Sequence, residues 1–92
     1  MPRPKKVRKV SFAPDVVYFK PRAVPLSELK EIELNLDELE AMRLCDLEKM
    51  GQKEVAEKMK ISQSTLSRII TSARKKIAQA LVEGRAIAIQ KR

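Results

Sequence analysis

Apolar residues fall at helical spacing through most of the second half of the chain. Val55, Ala56 and Met59 give a short segment one apolar face, with an alanine where two helices would approach closely. Ile61 follows as the buried residue of a turn, and Ser62 stands where the next helix needs an N-cap. Leu66, Ile69 and Ile70 then form an inner stripe at i, i+3, i+4. Ala73, Ile77, Ala80 and Leu81 continue it, so this helix is expected to reach Leu81 or Val82, before Gly84. Upstream, Asn35 and Glu38 have the spacing of a capping box, with Leu34 and Leu39 at the staple positions. The helix they open is expected to run to about Met50, with Gly51 as its stop. Leu36, Leu39, Leu44, Leu47 and Met50 spread over a broad apolar arc into which Arg43 falls. Glu40, Asp46, Glu54 or an outside partner could each answer that charge.

The ends of the chain carry a different period. Val10 and Phe12, then Val16 to Phe19, are β-prone segments broken by Ala13-Pro14-Asp15, and read as short extended pieces packed on the helices. Residues 25–35 open with a single helical turn that Ser27 would cap. Ile87 and Ile89 alternate as in a short strand, whose partner would be the N-terminal segment or a second subunit. The expected architecture is mainly α: a tri-helical domain over residues 25–83, a basic N-terminal arm and extended segment over 1–24, and a basic tail over 84–92 holding the short strand.

Gln52 to Thr71 has the form of a helix-turn-helix, the unit that carries one helix into the DNA major groove. Once the apolar stripe is set aside, Gln63, Ser64, Ser67, Arg68 and Thr71 remain outside, a polar and basic face without an acid. A merely solvated face, as in an ordinary helical hairpin, would normally mix Glu with Lys. Gln63 and Arg68 are the residues expected at base edges, since Gln suits adenine and Arg suits guanine, with Ser64 and Ser67 beside them. Lys53, Ser62, Thr71, Arg74, Lys75 and Lys76 are expected along the phosphate backbone. Lys60 stands where such turns often have glycine, and φ > 0 there would cost on the order of 1 kcal/mol.

Charge strengthens this picture. The 92 residues carry a net +8 with pI near 9.9, which favours a polyanionic partner, nucleic acid before membrane. Residues 1–22 hold seven Lys/Arg against one acid, residues 23–50 three against eight, and residues 51–92 ten against three. The basic ends suit phosphate, and the acidic middle suits a side turned away from it. Arg3, Lys5, Lys6, Arg8 and Lys9 form either an arm along a DNA groove or a solubilising tail. The three aromatics all lie in the first twenty residues, which argues against RNA recognition by stacking in the basic C-terminal half. One cysteine and no histidine leave no disulfide, little material for a metal site and no usual general base, so neither enzyme, metal nor cofactor is expected. Cys45 reads as a packing residue, without a neighbour that would make it redox-active. The absence of a signal peptide or bilayer-length apolar run leads to an expected cytoplasmic, nucleoid-associated protein.

Leu34 to Leu81 is similar to region 4 of the sigma-70 class of transcription factors: LNLDELEAMRL, EVAEKM and SQSTLSRIITSARKKI follow that family's order and spacing. Nearly the whole chain resembles a narrower family of small uncharacterised bacterial and archaeal proteins. The MPRPKK start, YFKP at 18–21, VPLSELKEIEL at 24–34, LDELEAMRL at 36–44 and ALVEGRAI at 80–87 carry that likeness. The resemblance implies a tri-helical, region-4-like DNA-binding fold, of the winged-helix-like class, and a role in transcription. Two departures limit it. Members often have cysteines near the positions of Val7 and Ser11, so no metal or redox function transfers, and some append a domain resembling iron–molybdenum-cofactor-binding proteins, from which no sensory input is expected here. A single recognition helix covers few base pairs, so a homodimer on double-stranded DNA is expected. The competing expectation is an interaction module for RNA polymerase or another regulator, using helix 36–50 around Arg43.

Overall fold

A computed structural model of the chain describes residues 8–90. It is a mixed fold of three helices and a three-stranded sheet, where the sequence pattern pointed to a mainly α domain. Helix α1 covers Leu36–Met42 and continues into one wide turn of π type at Arg43–Leu47; α2 covers Gln52–Met59 and α3 covers Gln63–Glu83. Strands β1 (Tyr18–Phe19), β2 (Glu31–Leu34) and β3 (Ala86–Ile89) make the sheet. Strand β2 explains the difference in class. Its Ile32 and Leu34 are buried while Glu31 and Glu33 are exposed, a period of two compressed into four residues.

β3 is the central strand, antiparallel to β1 and parallel to β2. Tyr18 stands opposite Ala88 and Leu34 opposite Ile89. The C-terminal strand therefore does pair with the N-terminal segment, and its second edge is taken by β2 rather than left for another subunit. N-terminal segment, middle and tail thus meet in one sheet, which packs on α3 through Leu34, Ala73 and Ile89, with Val17, Leu39 and Ile77 around them. A second core lies among the helices, where Leu44, Val55, Ala56, Met59, Leu66 and Ile70 are buried. The stripe of α3 serves both: its first half faces α1 and α2, its second half the sheet. No helix among the described residues is long and apolar enough to cross a membrane.

The helix ends depart from expectation in informative ways. The capping box opens α1, with Glu38 Oε1 accepting from the Asn35 N–H at 2.9 Å. That helix does not run to Met50, however, and Gly51 is not its stop. The wide turn closes with the Met50 N–H donating to Leu44 O at 3.0 Å, and Lys49 takes the left-handed conformation at φ 60°. Gly51 is extended and instead precedes α2. The wider turn advances each residue by a smaller angle, which rotates Leu47 off the apolar arc and leaves it 73% exposed. Leu81 is likewise 77% exposed rather than part of the stripe. Ser27 lies inside a 3-10 turn at Leu26–Glu28 that follows Pro25, so it caps nothing.

Two buried acids tie these layers together. Glu40, at 0% exposure, accepts from Arg43 Nε at 2.8 Å and Nη2 at 3.2 Å, and from the Ser11 N–H at 2.9 Å. Arg43, whose partner the sequence left open, also lies over the Phe12 ring at 4.7 Å. Glu38, at 4%, accepts from Ser72 Oγ and from Lys76 Nζ on α3, the latter at 2.7 Å. Burial pushes both carboxyls up, but these donors and cations outweigh it and hold both below the ordinary value of 4.5. A lowered folded-state pKa stabilises above the unfolded value and is lost as pH falls through the lowered one. Stability to denaturant should therefore decline as pH drops below the usual glutamate range. Glu40→Gln should flatten that decline and cost about 2–4 kcal/mol near neutrality, discounted because Arg43 is partly open to solvent. Urea titrations from about pH 3 to 7 measure both; an unchanged acid slope would remove Glu40 from this role.

Candidate nucleic-acid interface

The N-terminus of α3 is set by the turn before it. Helix α2 ends with the Ile61 N–H donating to Ala56 O and the Lys60 N–H to Glu57 O, a Schellman pattern that requires the left-handed Lys60, at φ 60°. Ile61 folds back onto the helical core, as its apolarity led one to expect. Ser62 then caps α3, its Oγ accepting from the Thr65 N–H at 3.1 Å. With Leu66 fully buried and Ile69 and Ile70 beside it, the roll of α3 about its axis is fixed.

That roll leaves Gln63, Ser64, Ser67, Arg68 and Thr71 exposed together on the outer side of the first three turns. The face has no acid; the one acid of α3, Glu83, is at its far end. Lys75 extends the face by one further turn and makes no ion pair among the described residues. Lys53 is exposed on the first turn of α2.

The basic residues flanking this face are not free. Arg74 Nη2 lies 2.6 Å from Asp46 Oδ1, an exposed pair that draws the Asp46 carboxyl below its usual range. Lys76 is held by buried Glu38, so its ammonium acts as a strut between α3 and α1 rather than facing outward beside Lys75. The i, i+3, i+4 pattern could not show this, because Glu38 and Lys76 are 38 positions apart.

Of the N-terminal cations, Arg3, Lys5 and Lys6 lie outside the described residues. Arg8 Nε stands 3.4 Å from Asp37 Oδ2, and the Lys9 N–H donates to Met59 O at 3.1 Å. The segment thus passes the C-terminal end of α2, and Arg8 shares a cleft of about 290 Å³ with Thr65 and Arg68 of α3. On another side, Phe12, Val16, Phe19, Leu39, Met42 and Leu47 line an apolar groove of about 530 Å³. Cys45 packs against the helical core, and burial followed by the nearby Asp46 charge pushes its thiol up, away from the reactive thiolate. Among the described residues no cluster of three His, Cys, Asp or Glu could hold a metal ion.

The family described as "Protein of unknown function DUF134" matches residues 1–91, and the chain belongs to it. A "UPF0251 protein" of Caldanaerobacter subterraneus subsp. tengcongensis is 57% identical over 90 residues, covering 98% of this chain and 76% of that one. Those of Halothermothrix orenii and Desulforudis audaxviator are 48% and 52% identical, over 95% and 98% of this chain. The chain spans 64% and 59% of those two relatives' lengths. No solved structure matches it.

The two neighbouring lysines should separate cleanly in a stability assay. Lys76→Ala leaves buried Glu38 without its cation and should lower stability by about 1–2 kcal/mol. Lys75→Ala, at an exposed position, should stay within about 0.5 kcal/mol of the parent protein. Denaturant midpoints compare them directly, and equal effects would contradict the strut.

Proposed function

We propose that the protein is a sequence-specific double-stranded-DNA-binding transcriptional regulator, with α2 and α3 forming a helix-turn-helix similar to that of sigma region 4. Helix α3 enters the major groove from its Gln63 end. One observation carries this reading: the acid-free exposed face of Gln63, Ser64, Ser67, Arg68 and Thr71 sits on a helix whose roll is fixed by Leu66, Ile69 and Ile70. Arg68 and Gln63 offer the donor and acceptor patterns that read guanine and adenine edges, with Ser64 and Ser67 adjoining them. Lys53, Thr71 and Lys75 take backbone phosphates, together with Arg8, Lys9 and the basic residues before them. Arg74 joins them by exchanging an exposed acid for a phosphate, whereas Lys76 does not, being held internally. Ser62 contributes through its cap, which aims the first N–H groups of α3 outward. The protein works as a homodimer in the cytoplasm, on the nucleoid.

The apolar groove favours a second reading, an interaction module for RNA polymerase or another regulator. Its exposed Val16, Phe19 and Leu47 supply the surface, since Arg43 is already engaged by Glu40 and Phe12.

Selection from a randomised duplex library, followed by sequencing, tests the first reading. An enriched motif is expected, and Arg68→Ala should then cost about 1–3 kcal/mol on that motif while relaxing base preference at one position. Equal loss on random DNA would remove Arg68 from base reading. No binding to any duplex would leave the groove reading in its place.

A further inference from the structure

The apolar groove and the flank of α3 share one residue. Phe12, Val16, Phe19, Leu39 and Leu47 line the groove, with Val16, Phe19 and Leu47 each more than half exposed. Two charged residues also line it, Arg43 and Asp46. Arg43 is already answered by Glu40 in a two-point contact. Asp46 is answered from α3, where Arg74 Nη2 and Nε reach its two carboxylate oxygens at 2.6 and 3.3 Å. Lys49 acts on Asp46 only through its charge and ion-pairs with no acid among the described residues. We propose that the groove seats an apolar segment of a partner protein carrying a lysine or arginine, which takes Asp46 from Arg74 and so frees Arg74 for DNA phosphate.

Charge complementarity identifies the occupant. With Arg43 neutralised by Glu40, the Asp46 carboxylate is the one charge on the groove wall, among the described residues, that a ligand can claim. It stands in the acidic part of the chain, where residues 23–50 hold eight acids against three cations, and exposed Glu48 follows close by. Small-molecule sites bury most of their ligand, whereas this groove with its exposed walls covers one side only, which suits the apolar face of a protein segment. The wide turn at Arg43–Leu47 serves both contacts from adjacent residues, setting Leu47 at the groove rim and Asp46 against α3. Such turns recur at functional sites.

The exchange itself costs little. Arg74 and Asp46 are both about half exposed, and exposed pairs contribute little to stability. The link to DNA rests on the DNA-binding reading. A phosphate that takes Arg74 leaves the Asp46 carboxylate unpaired on the groove wall, where a cation is then favoured. A cation that takes Asp46 leaves Arg74 unpaired beside the α3 face, where a phosphate is favoured. Two ligands that each release the other's contact bind with positive coupling, equal in both directions. The exposure of the pair limits that coupling to about two- to five-fold.

A random peptide library displayed on phage and selected against the full chain is the probe. Sequences kept by the parent protein but lost on Leu47→Glu, a change at an exposed rim position, report the groove. They should combine apolar residues with Lys or Arg, and Asp46→Asn should weaken their binding several-fold. Neutral or acidic groove-dependent sequences would overturn the cationic occupant, and no groove-dependent sequence would overturn the site. Self-association of the full chain that Leu47→Glu abolishes would give the groove to a second copy and overturn the partner. The coupling has its own readout. Arg74→Ala leaves Asp46 unpaired and should tighten a selected peptide about two- to five-fold; unchanged affinity would overturn the exchange. A duplex selected by the parent protein should tighten the same peptide by a similar factor, and should not do so in Arg74→Ala. A protein that binds no duplex loses the DNA reading, while Arg74→Ala still decides the exchange at the groove.

Discussion

Two glutamates two residues apart on a short helix cannot both be buried in water-poor surroundings unless each is given cations and donors. Glu38 and Glu40 meet that demand in different directions. Glu40 draws in Arg43 and the backbone of Ser11, and with them Phe12, so the N-terminal segment is laid along α1. Glu38 draws in Ser72 and Lys76 from the middle of α3 and also closes the capping box with Asn35. An unpaired buried carboxylate would cost several kcal/mol, so neither half of this arrangement can form without the other elements arriving. Helix α1 has only seven residues, too few to be stable through its own propensity, and it is held instead by what its acids collect.

This coupling decides what α3 can present. Lys76 and Ser72 hold one flank of the helix to α1, Arg74 holds the other to Asp46, and the stripe between them is buried. The remaining face is left over by construction: polar and basic in its first half, apolar in its second. The charge partition of the chain follows the same logic. The acids of the middle segment are partly consumed as anchors for basic residues of the ends, so they draw cations inward at Arg8 and Lys76 and leave the acid-free face around Arg68 undiluted.

Much of this was legible before any coordinates. The stripe of α3, its Ser62 cap, the capping box at Asn35 and the left-handed position at Lys60 are all local patterns with a period or a fixed offset. What escaped was of two kinds. Strand β2 has only four residues and alternates Glu with Ile and Leu immediately before a helix cap, so its period is too short to stand out. The wide turn at Arg43–Leu47 shifts Leu47 outward without any glycine or proline to mark it. The second kind was long-range. That Lys76 belongs to Glu38 and Arg74 to Asp46 depends on pairs 38 and 28 positions apart, and charged side chains at such distances leave no periodic trace. The same is true of Leu81, whose spacing fits the stripe although no neighbouring element reaches far enough to cover it.

Lys60 shows how a local rule can be broken at small net cost. A non-glycine residue at φ 60° costs about 1 kcal/mol. Glycine there would widen the unfolded ensemble, returning about 0.4–1 kcal/mol of that advantage. It would also remove a cation from the C-terminal end of α2, where the helix dipole favours one by about 0.3–1 kcal/mol. These magnitudes nearly cancel, so lysine is tolerated at the turn. The position has a further use. The Lys9 N–H bonds Met59 O, the last residue of the same helix, so the basic N-terminal segment is fastened at the turn from which α3 starts. Arg8 and the Arg68 of the α3 face are brought to one side of the molecule with the help of a backbone contact, with no need for the like charges to attract.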